Sequence, residues 1–252
     1  MSTNKIQLNI DLDHFANQLQ YLIFSDLMTV DIVYKKTSEP NFSSQEYFLE
    51  KGFVKIELPK TPINVIRNRE INKCFKSIMG EFQNYMDNLI TCLKLKSTEL
   101  HLEPPISDES VNIFLKEKFQ EVLLDVSTDR SLNVPKKLNL LLDENVLYKE
   151  VVQSFFNIRN GFEHHKSKSK KHNKICYKRL GFASTSGYEV TQPGPLGVNE
   201  GLVIRVFNEE LIYDQGSLIV ITKDQLNDIA FNFVHFIIPY FQKTIKEEFQ
   251  KT

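Results

Sequence analysis

One short segment of the sequence has residue types and spacing that suit chemistry on a phosphodiester. Arg159, Asn160 and His164 lie within six positions, and His165 follows directly. Arginine stays charged near neutral pH and can bind two phosphate oxygens at once. Histidine exchanges protons near neutrality because its unperturbed pKa is about 6.5. RNA can be cleaved when its own 2′-hydroxyl attacks the neighbouring phosphate. That reaction requires a base, an acid and a positive charge, and these residue types supply all three without a metal ion.

The spacing suggests a role for each of these residues. Arg159 is expected to bind the phosphate and stabilise the transition state, and His164 to act as general base or acid. Asn160 and His164 are four positions apart, so on a helix they share a face and the amide could orient the imidazole. His165 replaces His164 if the longer spacing is the operative one. Arg159 and His164 lie about 140° apart around a helix, a geometry that Gly161 could loosen.

A lysine-rich segment follows the histidines and provides local positive charge. The formal net charge of −1 and the pI near 6.6 give no overall attraction to a polyanion. Five lysines occur here with no acid among them: Lys166, Lys168, Lys170, Lys171 and Lys174. The first four are predicted to hold an RNA backbone. The alternative is a solvated surface loop.

Structural interpretations of the same residues also fit the sequence. Arg159 and Glu163 are four positions apart and could form a surface ion pair. His164 and His165 could interact with the dipole at a helix C-terminus. A metal site made of these histidines and His172 lacks a nearby Asp or Cys, and Glu163 would point elsewhere on a helix. We therefore expect neither a metal ion nor a cofactor.

The length and composition are those of an ordinary globular protein. The chain has 252 residues, of which 41% are apolar and 25% charged. A chain of this length can bury a stable core without a disulfide or a structural metal ion. Cys74, Cys92 and Cys176 are too widely separated for a zinc motif or a disulfide framework. No signal pattern precedes the chain's first helix, and the longest apolar run, 229–241, is too short to span a bilayer. We expect a single domain over 1–252, in the cytoplasm and not in a membrane.

Hydrophobic periodicity predicts the helices that position the arginine–histidine segment. The predicted helices cover 9–27, 65–96, 109–125, 135–142, the stretch from Asp143 to Arg159, and Lys223 to the C-terminus. Ser107 or Asp108 is expected to cap the third helix. Pro239 is expected to kink the last one, because proline lacks the N–H that a helix interior needs.

Alternation of apolar and polar residues predicts β-strands outside these helices. The predicted strands cover 28–36, 53–58, 176–182, 202–207 and 218–222. The fold class is therefore mainly α: a helical bundle with a small antiparallel β-sheet. Its strands come from the 28–60 region and from an insertion over 175–222 before the last helix. The insertion contains a Gly/Pro-rich loop and could act as a lid, a regulatory surface or a docking platform.

Arg159–Asn160, followed after three residues by His164 or after four by His165, resembles the signature of the HEPN superfamily. The family's pattern is an arginine, a polar residue, three to four further residues and a histidine, near a helix end in a small helical bundle. The resemblance covers about half of the chain: the 65–96 helix, residues 143–165 and the 223–250 helix. The N-terminal strands and the β-like insertion lie outside it.

The resemblance implies a metal-independent endoribonuclease, as found in toxin–antitoxin and antiviral defence systems. In that family two copies meet across a twofold interface and build one composite cleft, so it also implies a homodimer. An antitoxin or another regulatory protein is then a further expected partner. Two alternatives remain. One is a non-catalytic RNA- or protein-binding member in which the same residues shape the dimer interface, and the other is a structural helical protein with a chance motif.

Overall fold

A computed structural model of the chain describes residues 10–43, 61–98, 100, 107–142, 146–190 and 201–251. Five helices come first: α1 (Leu12–Thr37), α2 (Ile63–Lys96), α3 (Asp108–Thr128), α4 (Val134–Leu141) and α5 (Val146–His164). Two strands follow, β1 (Asn173–Ser184) and β2 (Leu202–Tyr213), and then α6 (Lys223–Asn232) and α7 (Ile238–Gln250). A π-helical turn, Phe233–Ile237, joins α6 to α7. The predicted class, mainly helical with a small antiparallel sheet, is confirmed.

Helix α2 is the central element of the bundle. Its 34 residues extend over about 50 Å, and it packs against α1, α3, α4, α5 and the C-terminal helices. The predicted apolar stripe is buried almost throughout, and Phe82 lies at its centre. The Phe82 ring contacts Phe233 at 4.9 Å and Phe241 at 5.4 Å between centroids. These edge-on aromatic contacts fix the C-terminal helices against α2.

Polar side chains cap the starts of four helices. At the start of α1 the Asp11 carboxylate accepts from the N–H groups of Asp13 and His14. The Ser107 hydroxyl accepts from the Ser110 N–H at the start of α3, where both halves of a capping box are present. Asn133 caps α4, which has Pro135 in its first turn, and Thr222 caps α6. The predicted boundaries of α3 and α4 are therefore confirmed to within a few residues.

The predicted strand over 28–36 is wrong, because α1 continues as a helix to Thr37. Val30, Val33 and Thr37 are buried at spacings of three and four, whereas Ile32 is 64% exposed. The local alternation of apolar residues was thus compatible with a strand, but packing against α2 selects the helical face. The strand predicted over 53–58 lies outside the described residues.

The insertion before the last helices forms a β-hairpin. β1 and β2 pair antiparallel over their whole length, from Asn173 opposite Tyr213 to Ser184 opposite Leu202. Both strands are longer than predicted. One face of the sheet joins the main hydrophobic core through Ile175, Tyr177, Leu211 and Tyr213.

The third strand predicted for the insertion, 218–222, is not a strand. Leu218 forms an isolated bridge with Lys168, and the Ile219 N–H donates to the Ser167 carbonyl. This segment therefore supports the loop after α5 and does not extend the sheet.

A π-helical turn lies directly before Pro239, the position at which the sequence predicts a kink. The Ile238 N–H donates to the Phe233 carbonyl, five residues back. Pro239 lies in the first turn of α7, where a missing N–H costs little. No helix among the described residues has both the length and the hydrophobicity to cross a bilayer.

Candidate functional site at the end of helix α5

The arginine–histidine segment lies on the last turns of α5, which ends at His164. The chain then reverses through Lys166 and Ser167, whose φ angles of 52° and 59° lie in the left-handed region. The N–H groups of His165 and Ser167 both donate to the Gly161 carbonyl, at 3.2 and 3.0 Å. The lysine-rich segment is therefore folded back against the end of α5.

Gly161 is a close-packing position and not a flexible one. It is buried and helical, and a Cβ there would lie 2.3 Å from Ile219 Cδ1 and 3.0 Å from the Lys168 carbonyl oxygen. The interpretation that Gly161 loosens the helix is therefore wrong. Its missing side chain lets the 165–168 turn and Ile219 approach the helix backbone.

Arg159 is held in place by two acceptors. Its Nε donates to Glu163 Oε1 at 3.2 Å, and its Nη1 donates to Gln83 Oε1 on α2 at 2.9 Å. The side chain is 22% exposed. The ion pair with Glu163 considered from the sequence is therefore present. Nη2 makes no hydrogen bond to another described residue.

His164 contacts Glu163 and makes no hydrogen bond to Asn160. Its side chain is 68% exposed, and its Nε2 lies 3.8 Å from Glu163 Oε2. Asn160 is exposed and shares a face of α5 with His164, as predicted, but its amide makes no hydrogen bond to the described residues. The role of orienting the imidazole is therefore not carried out by Asn160 in this structure. The ring of His165 lies 6.4 Å from that of His164.

Glu163 links the two residues predicted to do the chemistry. One of its carboxylate oxygens accepts from Arg159, and the other lies near His164. From the sequence, Glu163 is expected only as a competing ion-pair partner of Arg159. Its position, four residues after Arg159 and directly before His164, is the signal that could have indicated a positioning role.

The lysine-rich segment divides into free and paired members. Lys166, Lys168, Lys170 and Lys171 are exposed, as a role in RNA binding requires. Lys174 instead pairs with Glu210 at 2.8 Å, and this hydrogen bond raises the pKa of Lys174.

The histidines are not arranged as a metal site. His172 Nδ1 lies 2.9 Å from Asp214 Oδ1, so His172 has a partner of its own. Within the described ranges, no three His, Cys, Asp or Glu side chains lie close enough together to hold a metal ion.

A groove between α2 and the end of α5 adds cations that were not among the residues predicted from the sequence to bind RNA. The groove has a volume of about 560 Å³, and Arg69, Lys73, Lys76, Phe162 and Ser167 contribute to its lining. We call it the basic groove. None of its three cations forms an ion pair with another described residue. Their spacing of four and three on the predicted 65–96 helix places them on one face, and that was the available signal.

The basic groove leads toward Arg159. Gln83, which accepts from Arg159, lies seven residues after Lys76 and on the same face of α2. Two helical turns, about 10 Å, therefore separate the last cation of the groove from the guanidinium's partner. The cations of the groove and the acceptor of Arg159 therefore share one face of α2.

Comparisons of the chain with models of known families, with curated proteins and with solved structures find no match. The function proposed for this protein therefore rests on the residues and the geometry described above.

Proposed function

We propose that this protein is a HEPN-like, metal-independent endoribonuclease that cleaves RNA through attack of a 2′-hydroxyl. The observation that carries the proposal is the position of Arg159. Its guanidinium is fixed by Glu163 and Gln83, on the helix end that borders the basic groove. An arginine placed in this way can bind a phosphate that the groove's cations have brought close.

The reaction needs two proton transfers. A base takes the proton of the 2′-hydroxyl, the 2′-oxygen bonds to phosphorus, and the bond from phosphorus to the 5′-oxygen breaks as an acid protonates that oxygen. The products are a 2′,3′-cyclic phosphate and a 5′-hydroxyl. His164 takes one of these roles, since it is exposed and its imidazole suits transfer near neutral pH. His165 is the other imidazole available beside it.

A second copy of the chain is part of the proposal. One copy supplies a single arginine, Arg159, and one adjacent pair of histidines, His164 and His165, for a reaction that needs two proton transfers and charge stabilisation. A twofold-related copy facing the same helix end would place two arginines and two pairs of histidines around one cleft. Such a nuclease also calls for restraint by an antitoxin or regulatory protein, as in toxin–antitoxin or antiviral defence systems.

A second candidate function is a non-catalytic HEPN-like module that binds RNA or protein. The observation that favours it is the engagement of Arg159, two of whose nitrogens already donate to protein acceptors. The absence of a hydrogen bond between Asn160 and His164 also favours a non-catalytic module, because the imidazole is then not oriented by the amide. In this case RNA would lie along the basic groove and the 166–171 lysines without being cleaved.

Incubation of the purified protein with mixed cellular RNA in EDTA tests the proposal. We expect the wild type to cleave and His164→Ala to cleave about 10²- to 10⁴-fold more slowly, the usual contribution of a general acid or base. Arg159→Ala should also abolish cleavage without loss of folding. His14→Ala, which removes an exposed histidine at the start of α1, is the matched control and should cleave normally.

The remaining outcomes separate the alternatives. RNA that stays intact but binds with an affinity that falls with salt would support the binding module. RNA that is neither bound nor cleaved would overturn both functions. Cleavage that persists in His164→Ala and disappears in His165→Ala would assign the catalytic role to the second histidine.

A further inference from the structure

A second concave site lies on the opposite side of α5 from Arg159. It is a cavity of about 420 Å³ between α4, α5 and the start of β1, a size typical of small-molecule sites. Gln153, Asn157 and Asn173 contribute amide groups to its lining, and Leu138 contributes an apolar surface. Lys171 contributes a cation and Glu150 a carboxylate. We call it the amide cavity. Apolar contact with a few fixed polar groups is the usual composition of a ligand site.

The amides of this cavity form a chain with a fixed direction. The Ser169 hydroxyl donates its one proton to the Lys171 carbonyl at 2.6 Å, so it must accept from Asn173 Nδ2, at 2.8 Å. Asn173 Oδ1 then accepts from Asn157 Nδ2 at 3.3 Å, and Asn157 Oδ1 faces Gln153 Nε2 at 3.5 Å. Each orientation dictates the next, so the amide assignments are not interchangeable.

The chain leaves one acceptor unused at its end. Gln153 Oε1 is shielded from solvent and has no hydrogen-bond partner. Leaving a shielded acceptor unpaired costs free energy, and a bound group with an N–H donor would remove that cost after a small rotation of the side chain. The amide cavity therefore suits a ligand that carries an N–H donor.

We propose that the amide cavity binds one nucleotide, with its base against Gln153 and Asn157 and its phosphate near Lys171. Asparagine and glutamine amides pair with the donor and acceptor edges of nucleobases, and splayed bases of single-stranded RNA are read in this way. Leu138 provides an apolar contact for the base. Lys171 is exposed and supplies the charge that a phosphate requires.

The position of the amide cavity connects it to the proposed ribonuclease site. Gln153, Asn157, Asn160 and His164 follow each other at spacings of four, three and four, so they lie on one face of α5. Asn157 and His164 are about 10 Å apart along the helix axis. The inference rests on the proposed function in one respect: the bound nucleotide is part of the RNA substrate and gives cleavage a base preference.

Calorimetric titration of the full chain with each of the four nucleoside 5′-monophosphates, and with inorganic phosphate, tests the cavity directly. We expect saturable binding of at least one nucleotide and much weaker binding of phosphate alone. Gln153→Ala should weaken nucleotide binding about tenfold, the discrimination expected of a good amide–base contact. Gln120→Ala removes an exposed glutamine on α3 and should change nothing.

Lys171→Ala gives a second variant at an exposed position, where folding is not at risk. It should weaken nucleotide binding and reduce the dependence of that binding on salt. Phosphate that binds as tightly as every nucleotide would overturn the inference. So would nucleotide binding that is unchanged in both Gln153→Ala and Lys171→Ala, with thermal unfolding confirming that the variants are folded.

Cleavage-site sequencing separates this inference from the proposed function. The wild type should cleave beside one base more often than beside the others. If that preference is about tenfold smaller in Gln153→Ala, an RNA nucleotide binds in the cavity. Nucleotide binding without RNA cleavage would retain the amide cavity as a free-nucleotide site and reject the nuclease. Cleavage without nucleotide binding, and with the same base preference in Gln153→Ala, would retain the nuclease and reject the cavity.

Discussion

At the scale of single residues, Glu163 contacts both side chains that the proposed chemistry needs. Its carboxylate lies against Arg159 and near His164, so it fixes the guanidinium and also offsets part of its charge. A fixed arginine binds a phosphate with less loss of side-chain freedom, whereas a neutralised one attracts the phosphate less strongly. The charge of Glu163 therefore lowers the affinity of Arg159 for a phosphate, whereas its positioning of the guanidinium raises that affinity.

Glu163→Gln should separate these two effects. The amide can still accept from Arg159, but the negative charge is gone, so RNA affinity should rise. We expect an increase of about fivefold at low salt, corresponding to roughly 1 kcal/mol for two unit charges about 4 Å apart in water. Fluorescence anisotropy with labelled RNA, in a His164→Ala background that leaves the RNA intact, measures the change.

The control for this variant is Glu117→Gln, which removes an exposed carboxylate on α3. It should leave RNA affinity unchanged. An affinity for RNA that does not change in Glu163→Gln would mean that no phosphate approaches Arg159.

At the scale of elements, α2 provides both the core stripe and the basic groove. Its apolar positions are buried against the surrounding helices, while Arg69, Lys73 and Lys76 lie on a separate face toward α5. One helix therefore positions Gln83 for Arg159 and presents cations to a polyanion. A rigid helical face of this kind holds the charges at fixed distances.

Replacement of Lys73 and Lys76 by alanine should weaken RNA binding in a salt-dependent way. Each phosphate contact on single-stranded nucleic acid contributes about 0.7 to the slope of log affinity against log salt, so we expect the double variant to lose about 1.4. Lys116→Ala on α3 is the matched exposed control. Titrations at several salt concentrations measure the slope, and an unaltered slope would exclude the groove from the RNA path.

A buried ion pair connects α2 to α4. Lys137 Nζ lies 2.5 Å from Asp87 Oδ1, and the side chains are only 3% and 5% exposed. Burial raises the pKa of the Asp87 carboxyl, although Lys137 opposes the shift. Each charge is therefore tolerated in the core mainly because the other is present.

Lys137→Met should destabilise the protein strongly because it leaves Asp87 buried without its partner. We expect a loss of about 3–5 kcal/mol in the free energy of unfolding, measured by urea titration. The double variant Asp87→Leu with Lys137→Met should recover most of that loss, since neither charge is then buried. If the double variant is as unstable as Lys137→Met, the loss of stability does not arise from leaving the Asp87 charge without its partner.

At the scale of the whole molecule, the β-hairpin is continuous with the helical core. Ile175 and Leu211 of the strands belong to the same hydrophobic cluster as Phe155 of α5 and Phe233 of the C-terminal region. Beside this shared core, Asp228 on α6 faces the sheet. Its charged neighbours are Arg179 and Glu209 on the strands and Asp224 on its own helix.

Burial raises the pKa of Asp228 to about 6, and Asp224 and Glu209 add to this effect while Arg179 opposes it. Because the pKa is raised on folding, the contribution of Asp228 to stability is complete below about pH 4, the unfolded value. It is lost as the pH rises through about 6. We therefore expect the free energy of unfolding contributed by this group to fall across that range.

Asp228→Asn should remove this pH dependence and increase stability at neutral pH relative to the wild type. Urea unfolding at a series of pH values between 4 and 8 measures the effect. Asp125→Asn, on α3, is the control. In this variant the free energy of unfolding should change with pH as it does in the wild type. If the free energy of unfolding of Asp228→Asn depends on pH as that of the wild type does, another group causes the dependence.

Periodicity was sufficient to predict most helices and unable to predict their partners. The spacing of apolar residues from Ile71 to Leu89 describes a helix that any bundle would bury on that face, and the structure confirms it. Residues 28–36 fit both a strand and a helix, because Val30 and Val33 satisfy the helical spacing as well. Contact with α2 decided between the two.

The sequence alone determined the helical class, the two strands before the last helices and the segment from Arg159 to His165, because these depend on neighbouring residues. Only the tertiary structure decided the partners of that segment. Gln83 lies 76 positions before Arg159, and Asn173 lies 16 positions after Asn157. Contacts over such separations form when helices pack, and no local pattern in the chain records which faces will meet.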